Sequence, residues 1–206
     1  MKKKRIILGR LLMVLGGLLV LSGLLLFGYN RSLEYTADKA SESTLFAVQQ
    51  KIEENCSSAG DQRQPIQQME LDGTRYLGVL SIPTLGLELP VQADWSYEKL
   101  LNTPCVYAGN IQDGGLVILA HNYRRHFGGI RHLRQGDEIR LTDAVGNEFL
   151  YQVDELTVLD AVDVEEMVDR SYDLSLFTCT YGGKARVTVR CTLQNKMDRY
   201  PVIESP

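Results

Sequence analysis

The stretch from Leu11 to Tyr29 holds nineteen residues, none of them charged. No other feature constrains the chain as strongly. Coiled into a helix, such a run is long enough to cross the hydrocarbon core of a bilayer, about 30 Å thick. A cleaved leader would carry a shorter apolar core, about 7–15 residues, followed by a small-x-small site. Gly28-Tyr29-Asn30-Arg31 offers no such site, and the sequence reads as an uncleaved anchor. Lys2, Lys3, Lys4, Arg5 and Arg10 precede the run. Basic residues flanking a span stay in the cytoplasm, so everything after Asn30 is expected outside the cell, on a single-pass membrane protein.

Those five basic residues mask the character of the rest. The formal net charge is −4, and without them the remainder carries −9. An acidic body with a basic tip argues against nucleic acid as a partner. The 206 residues suffice for one globular domain plus the anchor. Four cysteines (Cys56, Cys105, Cys179 and Cys191) fall in a compartment that permits disulfides. Cys191 alternates with Val187, Val189 and Leu193 on one strand face, the pattern of a buried reduced thiol. No His/Cys set has zinc-type spacing, so no metal is expected.

Ser32 to about Asn55 reads as a helix. Ala37, Ala40, Leu45, Val48 and Ile52 form its apolar stripe, which either packs on the domain or spaces it from the membrane. Cys56 to Asp72 reads as a linker. From Thr74 the strand signals come quickly: Tyr76–Ile82, Leu87–Val91, Cys105–Tyr107, Leu116–Ala120, Glu138–Leu141, Glu148–Leu159, Leu174–Cys179 and Ala185–Leu193, with a short helix over Ser96–Leu101. About eight strands at this spacing indicate an all-β barrel or sandwich. The expected divisions are 1–30 for tip and anchor, 31–73 for helical spacer and linker, and 74–206 for the β domain. His126 and His132, in the polar stretch after His121, read as surface residues.

The chemistry gathers at strand ends. Leu174-Ser175-Leu176-Phe177-Thr178 runs into Cys179, Gly182-Gly183 reverses the chain, and Arg186 opens the returning strand. Leu116-Val117-Ile118-Leu119-Ala120 ends on His121. Thiolate is the attacking form of cysteine, imidazole can pass a proton to a leaving amine, and a guanidinium can hold an oxyanion. Together they point to acyl transfer through a thioester. Arg190 shares the face of Arg186 but lies roughly 13 Å farther along the strand, toward the groove floor or a carboxylate partner.

Ser175-Leu176-Phe177-Thr178-Cys179 with Arg186 resembles the sortase signature, in which a Thr-Leu-x-Thr-Cys strand precedes an Arg-led one. Ala120-His121-Asn122 resembles the family's Gly-His-Asn motif, with Ala for Gly. The likeness runs through Tyr76–Pro83, Leu89-Pro90-Val91 and Leu133–Asp137. The short connection between Cys179 and Arg186 blurs the class, which is read as class B-like or related and not clearly the pilin class. The resemblance implies an eight-stranded sortase barrel with short helices, behind a transmembrane helix and a helical spacer. It implies a membrane-anchored cysteine transpeptidase in which Cys179, His121 and Arg186 are catalytic, with Thr178 and Asn122 binding substrate. Such an enzyme cleaves a C-terminal sorting signal of the Leu-Pro-x-Thr-Gly kind on surface proteins. It passes the acyl group to an amine on a peptidoglycan precursor and needs no cofactor. A pilin-polymerising sortase using a pilin lysine, or a silent surface-binding ectodomain, are the alternatives. Asp94-Trp95 resembles a pilin-sortase lid motif but falls after the Leu89-Pro90-Val91 strand, inside the barrel. The Asp160–Arg170 connection frames the substrate groove in sortases. Its Asp160, Asp163, Glu165, Glu166 and Asp169 would suit calcium in some relatives, but without dedicated ligand spacing they read as solvated loop charge.

Overall fold

The structure, a computed structural model, describes residues 2–59, 65 and 67–197. The chain divides after Thr36 into two units. The first lies within helix α1 (Lys2–Ala59), which is long and apolar enough to cross a membrane, with a mean hydropathy of 2.5 in its most apolar window.

The second unit begins at Ala37 and holds the β domain. Its strands are β1 (Met69–Leu71), β2 (Thr74–Ile82), β3 (Leu87–Gln92), β4 (Cys105–Asn110), β5 (Gly114–Leu119), β6 (Glu138–Asp143), β7 (Glu148–Asp160), β8 (Leu174–Cys179) and β9 (Ala185–Met197). The spatial order is β1-β2-β3-β4-β5-β8-β9-β7-β6, and β6 pairs back onto β2. Eight strands therefore close into the expected barrel, with β1 as an extra edge on β2. Closure leaves no open sheet edge around the ring. Two short helices, α2 (Tyr97–Leu100) and α3 (Val164–Met167), interrupt the connections.

The apolar runs of β5 and β8 do not alternate because both of their faces are covered. Leu116, Ile118, Leu174 and Leu176 point into the barrel with Val187, Val189 and Cys191. Val117, Leu119 and Phe177 point outward into a second cluster with Leu100, Cys105, Leu159 and Met167. The thiol-bearing strand end thus sits between a filled interior and an apolar outer layer.

Two regions differ from the sequence reading. The Cys56–Asp72 stretch is helical to Ala59, and Met69–Leu71 pairs with Thr74–Tyr76 in a hairpin. Its turn is Asp72-Gly73, both at positive φ (48° and 74°), the Asp-Gly chemistry that favours a tight hairpin. The helical stripe packs on the domain: Val48 and Ile52 lie against Met69, Tyr76, Val79 and Ala144, and Asn55 Nδ2 donates to the Ala144 carbonyl at 2.7 Å. The second correction concerns His126, which is fully buried, whereas His132 is exposed as expected. The loop after His121 folds back on itself: His126 N and Gly128 N both donate to the Tyr123 carbonyl, at 3.1 and 2.9 Å. A Cβ at Gly128 would lie 2.6 Å from the Asn122 carbonyl oxygen, so this fold needs glycine there. Polar neighbours in sequence say nothing about that enclosure.

Candidate active site

β8 runs parallel to β5 and antiparallel to β9. In the first register Leu119 faces Phe177, and Ala120 N donates to the Phe177 carbonyl at 3.2 Å. Thr178 Oγ1 returns a 2.8 Å bond to the Ala120 carbonyl. These two contacts clamp the His121 strand end to the Cys179 strand end. In the second register Cys179 lies directly opposite Arg186. Directly opposed residues share a sheet face with their Cβ atoms about 5 Å apart. Cys179, Arg186 and His121 therefore converge at one rim, as their positions at strand ends require.

The turn that sets this pairing is specified locally. Thr180 N donates to the Ala185 carbonyl at 2.9 Å, and Gly183 N to the Thr180 carbonyl at 2.9 Å. Gly182 and Gly183 take φ of 87° and 73°, a left-handed region costly for residues with a Cβ. Arg186 Nη1 donates to the Gly183 and Ala185 carbonyls at 3.0 and 3.1 Å. The guanidinium is thereby held over its own turn.

His121 is half-buried and stacks on Tyr123 with ring centroids 4.8 Å apart. Burial holds its pKa below the ordinary imidazole value, which favours the neutral ring. Among the four thiols, Cys105 and Cys191 are fully buried, and burial pushes Cys105 up to about 12 and Cys191 upward as well. Thiols so protected remain protonated and inert. Cys179 is half-buried, and Cys105, Cys179 and Cys191 stand outside any disulfide.

Arg190 takes carbonyl and hydroxyl partners in place of the carboxylate that was one of its two expected surroundings. It is buried, and its N–H groups go to the Ser175 hydroxyl (2.8 Å), the Met167 carbonyl (3.3 Å) and the Glu166 carbonyl. Its guanidinium lies 5.3 Å from the Tyr172 ring centre. It fastens α3 and the β7–β8 connection to the outer face of the sheet. Two carboxylates of that connection serve its own backbone: Asp169 accepts from Ser171 N at 2.9 Å and Asp160 from Val162 N at 3.3 Å. Among the described residues no group of three His, Cys, Asp or Glu side chains is placed to hold a metal ion.

A cleft of about 320 Å³ opens beside Cys179, lined in part by Asn122, Thr178, Thr180, Tyr181 and Arg131. Arg131 is a residue that the sequence reading passed over. Its signal was present: Gly114 to Gly136 contains four arginines and no Asp or Glu.

Residues 80–194 match the sortase domain model. The chain is 30% identical over 195 residues to sortase A of Bacillus anthracis, covering 87% of this chain and 89% of that protein. The chain belongs to the sortase family. Sortases are transpeptidases, so this is a member of an enzyme family that acts on surface proteins bearing sorting signals. A Clostridium perfringens sortase transpeptidase shares this sortase's fold with a TM-score of 0.59 at 21% identity, over 76% of this chain and 99% of that one. Sortase E of Streptomyces avermitilis aligns with a TM-score of 0.51 at 28% identity, over 58% of this sortase and 88% of its own chain.

Proposed function

We propose that this sortase is a membrane-anchored cysteine transpeptidase whose machinery is Cys179, His121 and Arg186. The observation that carries the reading is the direct cross-strand pairing of Cys179 with Arg186, beside the strand end that bears His121. Neutral His121 takes the Cys179 proton as Sγ attacks the backbone carbonyl inside a Leu-Pro-x-Thr-Gly-like signal. The C–S bond forms, the oxyanion is held by the N–H groups of Arg186, and the tetrahedral species collapses. The C–N bond then breaks, and the imidazolium gives its proton to the departing amine. A thioester remains on Cys179 until an amine on a peptidoglycan precursor takes the acyl group. The thioester is itself the activated form, so the reading calls for no cofactor. Thr178 and Asn122 line the cleft, and Thr178 also fixes the His121 strand end through its bond to Ala120. The helix through Leu11–Tyr29 would anchor the enzyme with its N-terminus in the cytoplasm. Enzyme and tethered substrate then share one surface, which raises their effective concentration.

The test is mass spectrometry of the intact protein after incubation with a small library of sorting peptides. An acyl adduct on Cys179 supports the reading; no adduct, or one on another residue, overturns it. Iodoacetamide at neutral pH should modify Cys179 and spare Cys105 and Cys191. An inert Cys179 would favour a silent binding ectodomain instead.

A further inference from the structure

The cleft and the apolar outer layer lie on opposite faces of the same strands. Thr178 and Val187 line the cleft, whereas Phe177, next to Thr178 in β8, points outward into the apolar cluster. Cys179 at the strand end borders the cleft while pairing with Arg186. A thioester on its sulfur could hold the acyl peptide on one side and be approached from the other.

Charge distinguishes the second side. None of the residues lining the cleft carries a carboxylate, and its cation is Arg131. Two acid-free segments meet there. One runs from Gly114 to Gly136 with Arg124, Arg125, Arg131 and Arg134; the other runs from Leu174 to Met197 and reaches the cleft at Thr178 to Tyr181. The chain beyond its basic tip is otherwise acidic. The Arg131 guanidinium rests 5.7 Å from the Tyr181 ring centre, and its Nε donates to His132 Nε2 at 3.2 Å. Contact with a ring face orients a guanidinium without consuming its terminal N–H groups, and those match the two oxygens of a carboxylate or phosphate. A volume of about 320 Å³ admits the end of a small amine rather than a folded protein.

We infer that this cleft seats the acyl acceptor, and that Arg131 selects an acceptor carrying a carboxylate or phosphate close to its reacting amine. The inference rests on the thioester reading. In this step the amine lone pair forms the new C–N bond as the C–S bond breaks. The bond pair leaves on Cys179 Sγ, and the amine proton passes to His121.

Acceptor pairs that differ in the anion test it: glycylglycine against glycylglycinamide, and phosphoethanolamine against ethanolamine, each offered to the full chain with a cleaved sorting peptide. The readout is the ratio of transfer products within a pair, which does not depend on how much enzyme is folded. The wild type should favour the anionic member of one pair about fivefold relative to Arg131→Gln, the upper range for a solvent-exposed ion pair. Arg131→Lys should keep part of that preference and Arg131→Glu should reverse it. The pair that responds identifies carboxylate or phosphate as the source. Ratios in both pairs that are the same in wild type and Arg131→Gln overturn the inference while peptide cleavage stands. Absence of peptide cleavage by the wild type overturns the thioester reading, and this inference with it.

Discussion

Arg186 and Arg190 sit four residues apart on β9, on one face, and do different work. Arg186 is at the rim, opposite Cys179, its guanidinium curled over an exposed turn. Arg190 is opposite Ser175 and 3% exposed, beneath α3. One holds its cation over the turn beside Cys179; the other ties a connection down through backbone carbonyls. Residue type and face are shared, so the difference comes entirely from what packs above each position. A buried guanidinium is tolerated only where its donors are satisfied, and Glu166, Met167 and Ser175 meet that need.

The largest effect expected at this rim is from Cys179→Ala, which should abolish peptide cleavage and leave the circular dichroism spectrum unchanged. Cleavage near the wild-type rate would remove the rim from the chemistry and with it one side of the comparison. Next comes Arg186→Ala. Loss of an oxyanion donor lowers turnover about 10²–10³-fold, and Arg186→Lys should recover little because an ammonium lacks the forked donor geometry. A larger kcat loss at Arg190 than at Arg186 would reverse the assignment of the two arginines.

Arg190→Ala should act on stability and on KM. It removes the donor of the buried Met167 carbonyl and Ser175 hydroxyl, a loss of about 1–3 kcal/mol, and frees the connection that carries Met167. A lower melting temperature and a raised KM, with kcat less affected, are the signature; Arg190→Lys should restore part of both. Unchanged KM and melting temperature would mean that the clamp does not shape the groove. The smallest effect concerns His121, whose titration followed by NMR should fall below about 6.5, the ordinary imidazole value, because burial disfavours its charged form. The folded state then binds fewer protons there than the unfolded chain. Stability from this site is present above the unfolded value and is lost as pH falls through it toward the folded one. A midpoint above 6.5 would show that a Cys179 thiolate holds the ring charged, coupling the pair.

The strands of the barrel were legible because period-two alternation and turn chemistry are local. Cys179 and Arg186 were legible as partners for the same reason: six residues and two glycines suffice to place them face to face. His121 was found at a strand end, and its approach to Cys179 then follows from β5 and β8 being neighbours. The Asp72-Gly73 hairpin carried an equally local signal, masked by the polar residues ahead of it.

Other features exist only through contacts between distant segments. No local pattern says that His126 is enclosed by its own loop, or that Arg190 lies under a connection more than twenty residues away in sequence. Nor does one say that Val48 and Ile52 cover Tyr76 and Val79. The apolar stripe of that helix was visible; its partner was not, since any apolar surface satisfies a stripe. Arg131 is the same case beside Cys179. Its charge is written in the chain, but only barrel closure brings the loop after His121 against the turn after Cys179, and that proximity makes a surface arginine part of a cleft.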